Sequence, residues 1–274
     1  MHNKIWLDLL KLIAIFSMLL LGFVYVPPML FDDWKPLPDE APALPGLSYK
    51  QEKVFGDFMV KQFLEDETLM SNPLIDSSFK VICNRLEQHK PLNEFDLTFH
   101  LLENEVVNAM TLPGGHIIVF SGLLSFADSP EEVAAVLAHE IGHVTKRHVA
   151  NRLIREIGIT AILAVITGGD VSIIHELSHL LLSNVFNREQ ESEADKFGLE
   201  LLENVRIDPK ALGVFFNRLN DADLAYDERL EWIMSHPHNN DRINASFDYG
   251  LNDSFVADSI DLNWSELKAE MEQL

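Results

Sequence analysis

Two histidines and a glutamate near the middle of the chain have the types and spacing of a metal site. His139 and His143 lie four residues apart in the run A-H-E-I-G-H-V. On a helix, side chains at this spacing project from one face, so both imidazoles can hold a single Zn²⁺ ion. Glu140 would then take a proton from the water that the ion activates. The pattern H-E-x-x-H on a helix therefore predicts metal-dependent hydrolysis.

The residues before this motif predict the helix that must carry it. Ser129 suits the N-cap, Pro130 the first helical position, and Glu132 the third position, where it would close a capping box. The pattern predicts an amphipathic helix that continues to His148. Gly142 costs about 1 kcal/mol of helix propensity relative to alanine, which predicts a close approach of another element at that position.

A second H-E-x-x-H occurs at His175 to His179. The pattern by itself does not choose between the two copies, because so short a motif also arises by chance. The first copy has a capped helix and follows a predicted strand, turn and strand. The second follows Gly168-Gly169-Asp170 and the apolar stretch from Ile157 to Ile166. This context favours the first copy.

A hydrolytic zinc site needs a third protein ligand and an open fourth position. Glu191 is the candidate ligand, in the run N-R-E-Q-E-S-E-A-D. Asp195 lies one helical turn further along the same face and is a candidate to orient a ligand histidine by a hydrogen bond. Without the histidine motif, this acidic run would be typical of a solvated helix face.

The remaining patterns predict an α+β fold, mainly helical, in which helices pack a small sheet. Helical periodicity from Gln51 to about His89 predicts two helices with a break near Asn72-Pro73. Everything after about Ser129 is predicted to be helical. Alternating or β-rich runs predict three strands, with a turn at Pro113-Gly114-Gly115 before the last of them: Phe95 to Leu101, Val106 to Met110, and His116 to Phe120.

Composition disfavours several classes of protein. The chain has 274 residues and is 47% hydrophobic, which is ample for a buried core. Its formal net charge of -22 would repel phosphate backbones, so we expect no nucleic-acid partner. The single cysteine, Cys83, cannot form an internal disulfide and is expected to be a buried core residue.

The first residues predict a membrane segment. A helix from Ile5 to Val26 would be about 33 Å long, enough for a ~30 Å hydrocarbon core if Lys11 snorkels and Asp8 lies near the headgroups. A basic start before an apolar run is also typical of a signal peptide. No A-x-A-like site follows the run, which favours an uncleaved anchor. Either interpretation exports the rest of the chain.

These observations predict four segments. Residues 1–31 form the anchor or signal segment, and residues 32–49 form a proline-rich spacer. Residues 50–250 form the catalytic domain. The acidic tail, 251–274, could cap the domain, contact a partner or be loosely ordered, and the sequence does not choose among these.

Three motifs occur together in this chain: H-E-I-G-H-V-x-x-R-H, N-x-M-x-L-P-G-G-x-I-x-V-x-x-G-L-L and R-x-x-E-x-x-A-D. From about Ser48 to Asp248 the chain resembles the membrane-linked zinc metalloendopeptidases related to the type I CAAX prenyl endopeptidase and the HtpX heat-shock protease. The single-anchor organisation resembles the exported bacterial members, which disfavours CAAX processing. The resemblance implies a zincin-like domain with one Zn²⁺ ion, held by His139, His143 and Glu191, with Glu140 as the base and Asp195 as support.

The resemblance also implies roles for two further segments. Asn108 to Phe120, including Gly114, Gly115 and His116, would provide an edge strand to which an extended peptide substrate adds; an ordinary hairpin is the alternative. His236 would stabilise an oxyanion, or occupy the open zinc position in a self-inhibited state, and Arg242 would fix its loop. A structural role at a helix start is the alternative for this pair. His148 is expected to pack rather than to bind metal.

Together these features predict a zinc endopeptidase in the bacterial inner membrane. Its catalytic domain would face the periplasm and cleave misfolded or misassembled envelope proteins. The rival from another class is a catalytically silent, metal-binding chaperone-like or adaptor module anchored to the membrane. The presence of Glu140 disfavours that alternative, because a site that no longer catalyses a reaction should tolerate loss of its general base.

Overall fold

Helices surround a small sheet in the computed structural model of the protein, which describes residues 46–65, 67–89, 95–168, 186–224, 230, 232, 236 and 240–273. The strands are β1 (Thr98–Leu102), β2 (Ala109–Thr111) and β3 (His116–Phe120). These elements confirm the predicted mainly helical α+β class. The helices are α1 (Tyr49–Phe63), α2 (Pro73–Glu87), α3 (Ser121–Phe126), α4 (Pro130–Thr145), α5 (His148–Ile157), α6 (Ile159–Ile166), α7 (Arg188–Asn204), α8 (Lys210–Leu224), α9 (Asn240–Phe247) and α10 (Trp264–Met271).

Several predicted features lie outside the described residues. They are the membrane anchor, the spacer up to residue 45, and the second histidine motif, His175 to His179. Within the described ranges, no helix is both long enough and apolar enough to cross a bilayer. The compact unit begins at Gly46, four residues before the predicted boundary. Leu47 is already buried there, and its carbonyl accepts a hydrogen bond from Arg147.

The first two helices begin where their capping residues stand. Ser48 and Gln51 form a capping box on α1. Asn72 caps α2 and is followed by Pro73 at the first helical position, so the predicted break is confirmed. The described sheet has its three predicted strands with shifted ends. β1 begins only at Thr98, because the backbone before it turns locally: the N–H of Leu97 donates to the carbonyl of Phe95.

The strand order in the sheet is β1-β3-β2. β3 runs parallel to β1 and antiparallel to β2, with Thr98 opposite His116 and Thr111 opposite Ile117. Every residue of β3 is buried, as expected for a central strand covered on its faces. The turn between β2 and β3 is the 3₁₀ segment Pro113–Gly115, in which Gly114 has φ of 77°.

The predicted substrate strand needs a correction. Gly114 and Gly115 lie in the 3₁₀ turn rather than in a strand, and His116 begins the central strand because β1 occupies the other side of β3. A Cβ on Gly114 would lie 2.7 Å from the Cα of Lys53, so the turn packs on α1. The ring of His116 also joins α1 to the sheet, through a contact of 2.9 Å with Asp57. Among the described strands, β2 is therefore the edge within this segment.

Helix α4 forms the centre of the domain. The hydroxyl of Ser129 accepts a hydrogen bond from the N–H of Glu132, which confirms the predicted cap. The Glu132 carboxylate does not reach back in a capping box but accepts two hydrogen bonds from Arg218 on α8. The predicted amphipathic character is wrong. All residues from Glu132 to Val144 are buried, because α2, α7, α8 and β2 pack around α4.

Helix α4 also ends earlier than predicted. It stops at Thr145, and Arg147 adopts a left-handed conformation with φ of 54° before α5 begins at His148. Arg147 is held in place by an ion pair with the buried Glu52 at 2.6 Å. The reversal turns the chain at the point where the sequence pattern predicts a continuous helix.

The closest helix packing in the site region occurs where α4 crosses α7. A Cβ on Gly142 would lie 2.8 Å from the Cα and carbonyl oxygen of Ala194. A Cβ on Gly198 would lie 3.1 Å from the backbone nitrogen of His139. Each helix thus presents a glycine to the backbone of the other, which confirms the close approach predicted at Gly142.

The C-terminal segment packs on the domain. Helix α10 contacts α2 and α3, and its Leu267 is buried. The backbone N–H of Ile260 donates to the carboxylate of Glu131 at 2.8 Å. Asn72 donates to Glu270 at 2.7 Å. Of the roles that the sequence left open for this tail, the described residues show contact with the domain itself.

We expect Gly142→Ala to lower the free energy of unfolding by about 1–2 kcal/mol, because the overpacking cost exceeds the gain in helix propensity. Thermal or urea unfolding measures the change. Gly250→Ala is the control, since nothing lies within 4 Å of a Cβ there. Equal stability of the two variants would show that the two helices separate without cost.

Candidate metal centre

Four buried side chains converge beside α4: His139, His143, Glu191 and His236. The Nε2 atoms of His139 and His143 are 3.1 Å apart. The Glu191 carboxylate lies 3.6 Å from the first of these nitrogens and 3.5 Å from the second. Nδ1 of His236 lies 3.2 Å from Nε2 of His139 and 3.0 Å from Glu191. Among the described residues this is the group with the donor set of a metal site.

The ring orientation of His139 is fixed by a carboxylate. Its Nδ1 lies 2.9 Å from Oδ1 of Asp195. A carboxylate only accepts hydrogen bonds, so Nδ1 carries the proton and Nε2 of a neutral ring presents a lone pair. The structure therefore places Asp195 in the orienting position that its spacing from Glu191 suggested.

His143 is oriented through a second histidine. Nε2 of His148 donates to Glu193 at 3.0 Å, which leaves Nδ1 of His148 to accept. Nδ1 of His143 lies 2.8 Å from that acceptor. Complete burial lowers the pKa of His143 well below its usual value, so the ring is neutral. Its Nε2, like that of His139, is left with a lone pair.

The two facing lone pairs match a bound cation. When both rings are neutral, these two nitrogens 3.1 Å apart have no proton to share, whereas one cation between them satisfies both. Ligand atoms of a tetrahedral zinc site, at about 2.0–2.1 Å from the ion, lie roughly 3.3 Å from one another. The separations in this cluster run from 3.0 to 3.6 Å. The residues present therefore fit a zinc ion.

The acidic run on α7 divides into two faces. Glu191 and Asp195 are buried, whereas Glu189 and Glu193 are exposed. Arg242 on α9 joins the two buried carboxylates, at 2.7 Å from Glu191 and 2.6 Å from Asp195. The expectation of a solvated acidic face thus holds for only half of the run.

Both buried carboxylates are held in the charged form. Burial alone would raise the pKa of Asp195, but the hydrogen bonds from Arg242 and His139 outweigh burial and lower it. Burial likewise opposes ionisation of Glu191, but the nearby His236 and His143 hold its pKa well below the usual value. Glu191 is therefore available as an anionic ligand, and Asp195 as an acceptor for His139.

Glu140 is fully buried, and its two carboxylate oxygens have different surroundings. Oε2 accepts a hydrogen bond from the hydroxyl of Thr111 on β2 at 2.8 Å. Oε1 has no hydrogen-bond partner among the described residues and lies 3.4 Å from Nε2 of His236. An unsatisfied buried carboxylate oxygen next to a donor cluster is typical of a group that takes part in chemistry.

Aromatic rings hold the histidines in place. The ring of His143 stacks on Phe186 with centroids 3.9 Å apart, and that of His236 stacks on Trp232 at 4.7 Å. The guanidinium of Arg242 lies 4.6 Å from the ring centroid of Phe216. These contacts limit ring rotation.

Comparison with known proteins agrees with this geometry. The profile of Peptidase family M48 matches residues 73–246, which contain all four members of the cluster. The chain belongs to peptidase family M48. This assignment is broader than the branch related to the CAAX endopeptidase and HtpX that the motifs resemble, and the finer placement stays a prediction.

Relatives of this M48 chain carry peptidase names. It is 28% identical over 226 residues to the beta-barrel assembly-enhancing protease of Escherichia coli K12, an alignment covering 77% of this chain and 46% of the relative. Its identity to the protein of that name from Yersinia pestis is 29%, covering 70% and 42%. Its identity to mitochondrial metalloendopeptidase OMA1 of Schizosaccharomyces pombe is 30%, covering 56% and 46%. The chain thus spans less than half the length of these relatives.

The structure brings together all but three of the predicted site residues. His139, His143, Glu191 and His236 form the cluster, Glu140 lies beside it, and Asp195 and Arg242 support it. Gly114, Gly115 and His116 instead contact α1 and β1.

The sequence indicated only a packing role for His148, and it did not indicate the contacts of His148 with His143, of Glu193 with His148, or of Thr111 with Glu140. No periodicity indicates that His148 turns back to His143, because the turn depends on the left-handed Arg147. An isolated threonine in a strand of three residues likewise gives no signal of a contact with α4. The R-H pair of the motif was the one available sign that His148 lies near the site.

We expect His148→Ala and Glu193→Ala to weaken Zn²⁺ binding by about 10- to 100-fold, because each removes a partner that fixes the His143 tautomer. Glu189→Gln, an exposed change on the same helix, is the control. Competition with a chromophoric chelator measures the affinity. Because the Glu193 side chain is exposed, its replacement should leave the fold intact, so that weaker Zn²⁺ binding in this variant would reflect the lost orientation of His148 and His143. Unchanged affinity in both variants would contradict the orienting role.

Proposed function

We propose that this chain is a zinc-dependent endopeptidase that hydrolyses peptide bonds through a Glu140-activated water. One observation carries the proposal. The buried carboxylate of Glu140, whose Oε1 has no hydrogen-bond partner among the described residues, lies 3.4 Å from His236, a member of the cluster in which the Nε2 atoms of His139 and His143 are 3.1 Å apart. Membership of peptidase family M48 and the metalloendopeptidase names of relatives support the reaction class.

His139, His143 and Glu191 would hold the ion, since two imidazoles and a carboxylate are a common ligand set of hydrolytic zinc sites. When bound, Zn²⁺ would polarise the scissile carbonyl and acidify a water molecule. Asp195 and His148 keep both histidine rings in the ligating tautomer. Arg242 holds the Glu191 carboxylate against the histidines.

Proton transfer falls to Glu140. Its Oε1 faces the cluster and takes the proton from the attacking water, and the same carboxyl then gives the proton to the leaving amine. Full burial of this side chain keeps bulk solvent from competing as a proton acceptor. The other carboxylate oxygen, Oε2, accepts the hydrogen bond from the Thr111 hydroxyl.

The substrate would bind as an extended strand along β2. This edge strand lies against α4, and its Thr111 reaches the Glu140 carboxylate. Backbone hydrogen bonds to an edge strand bind peptides with little regard to sequence, which suits a protease for misfolded chains. The backbone N–H of Trp232 donates to the carbonyl of Val107 at 3.2 Å, next to the start of β2. A peptide that extends past Ala109 would have to compete with this contact.

His236 would occupy the position that a hydrolytic site leaves open. Its Nδ1 lies 3.2 Å from Nε2 of His139 and 3.0 Å from the Glu191 carboxylate; with a proton on Nδ1 it donates to that carboxylate, and as a fourth ligand it would present a lone pair there instead. We therefore assign this arrangement to a resting state, in which His236 must withdraw before a substrate carbonyl enters. Stabilisation of an oxyanion is the alternative role of His236. Removal of the His236 side chain would raise activity if His236 blocks the site and lower activity if it stabilises the oxyanion.

The proposed substrates are misfolded or misassembled proteins of the bacterial envelope. Several relatives are named for enhancing the assembly of beta-barrels, which supports this substrate class. An anchor at Ile5 to Val26 would fix the domain to the inner membrane on the periplasmic side. The branch of single-anchor exported peptidases is the corresponding finer assignment within the family.

The first test combines metal content and casein cleavage by the purified full chain. We expect about one zinc per chain, metal lost in His139→Ala, and cleavage reduced by about 10²–10⁴-fold in Glu140→Gln with metal retained. His175→Ala, in the second motif, is the matched control and should keep both zinc and activity. Activity lost only in His175→Ala would move the site to the second motif.

Zinc binding without cleavage by any variant would instead support the rival class, a metal-binding chaperone-like or adaptor module. The fourth donor His236 is the observation that favours this alternative, because it fills the position that water needs. Suppression of aggregation of an unfolded outer-membrane protein by Glu140→Gln, as efficiently as by the wild type, would identify that activity.

We expect His236→Ala to raise casein cleavage severalfold at unchanged zinc content, because His139, His143 and Glu191 remain as ligands while the fourth position opens. Steady-state cleavage rates and metal analysis of the same preparation measure the two quantities. A fall in rate at full zinc content would assign the oxyanion role to His236.

A further inference from the structure

Thr111 is a buried polar residue on the apolar side of the edge strand. Ala109 and Thr111 are buried, whereas Met110 between them is half-buried, and β2 packs against α4. A hydroxyl in such a position needs a hydrogen-bond partner, since an unpaired one is costly. Both acceptors near Thr111 Oγ1 belong to Glu140: carboxylate Oε2 at 2.8 Å and the backbone carbonyl oxygen at 3.0 Å.

One hydroxyl proton serves only one of these acceptors at a time. The shorter contact is to the carboxylate, and a hydrogen bond to a charged acceptor is stronger than one to a neutral carbonyl. The Thr111 hydroxyl therefore donates to Oε2. This contact ties one oxygen of the base to a strand and leaves Oε1 towards His236.

We propose that Thr111 is a positioning residue that fixes the rotation of the Glu140 carboxylate, so that Oε1 alone faces the reacting water. The inference rests on the proposed peptidase function. In this proposal the two carboxylate oxygens of Glu140 have different roles. Oε2 is held by the hydrogen bond from β2, and Oε1 accepts and returns the proton. The same bond connects the edge strand that would take the substrate to the group that would activate the water.

Rotational restraint matters because of how the base must act. Proton transfer requires the accepting oxygen at hydrogen-bond distance from the water, and small misplacement of a catalytic group costs large factors in rate. Glu140 lies on α4 in a fully buried position, and Thr111 is the hydrogen-bond donor to its carboxylate among the described residues. Without that donor the carboxylate would be free to rotate about its last bond.

Thr111→Val and Thr111→Ser distinguish the effect of the hydroxyl on activity from the effect of side-chain shape. Valine keeps the volume of threonine and loses the hydroxyl, whereas serine keeps the hydroxyl and loses a methyl group. We expect kcat for casein peptides to fall roughly 10-fold in Thr111→Val. In Thr111→Ser we expect kcat within about threefold of wild type. KM and zinc content should be unchanged in both.

Thr145→Val is the matched control. Its hydroxyl donates to the carbonyl oxygen of Gly142 on the same helix at 3.0 Å, so the variant also loses a threonine hydroxyl bonded to a helix carbonyl. We expect it to keep the wild-type kcat. A wild-type kcat in Thr111→Val, or equal losses in Thr111→Val and Thr145→Val, would overturn the proposal. An inactive wild-type chain would instead count against the proposed function.

A measurement independent of activity keeps the proposal testable if Thr111→Val is poorly folded. Unfolding free energies of the wild type, Thr111→Ala, Glu140→Ala and the double variant Thr111→Ala/Glu140→Ala form a double-mutant cycle. Coupling between positions 111 and 140 is expected if the hydroxyl donates to the carboxylate. Additive effects would show that the backbone carbonyl is the partner, and that the carboxylate is not restrained.

Discussion

The close crossing of α4 and α7 is the constraint on which the site depends. Gly142 meets the backbone of Ala194, and Gly198 meets the backbone of His139, so the two helix axes approach without intervening side chains. Only at that distance do the short carboxylates of Asp195 and Glu191 reach the two histidines of α4. A larger side chain at the crossing would separate donor atoms whose spacing must be met within tenths of an ångström.

That crossing buries charge, and the rest of the cluster compensates for it. Two carboxylates of α7 and the carboxylate of Glu140 lie within a packed interior, where an unpaired charge would be very costly. Arg242 neutralises the pair on α7, and its guanidinium rests on an aromatic ring instead of in water. Since each partner of a buried ion pair depends on the other, α7 and α9 are linked to the site electrostatically as well as by packing.

The edge of the sheet and the metal-ligating helix are also physically continuous. β2 contacts α4 through the Thr111 hydroxyl, and the carbonyl of Val107, just before β2, accepts a hydrogen bond from the backbone N–H of Trp232. Trp232 stacks on His236, the fourth member of the cluster. One chain of contacts therefore runs from the sheet edge to both sides of the site. A peptide bound along β2 and the side chain of His236 would therefore be linked through Val107 and Trp232.

Local sequence patterns were enough to predict a capped helix that carries two histidines on one face, a carboxylate between them, and a pair of carboxylates one turn apart on another helix. Helix periodicity and capping act within a few residues, so these features can be predicted without tertiary contacts. The tertiary structure alone decided that β3 is central, that His148 returns to His143, and that Thr111 meets Glu140. Those outcomes depend on the left-handed turn at Arg147, on the pairing of distant strands, and on how closely two helices cross. No local pattern encodes these distances, because they follow from the packing of residues far apart in the chain.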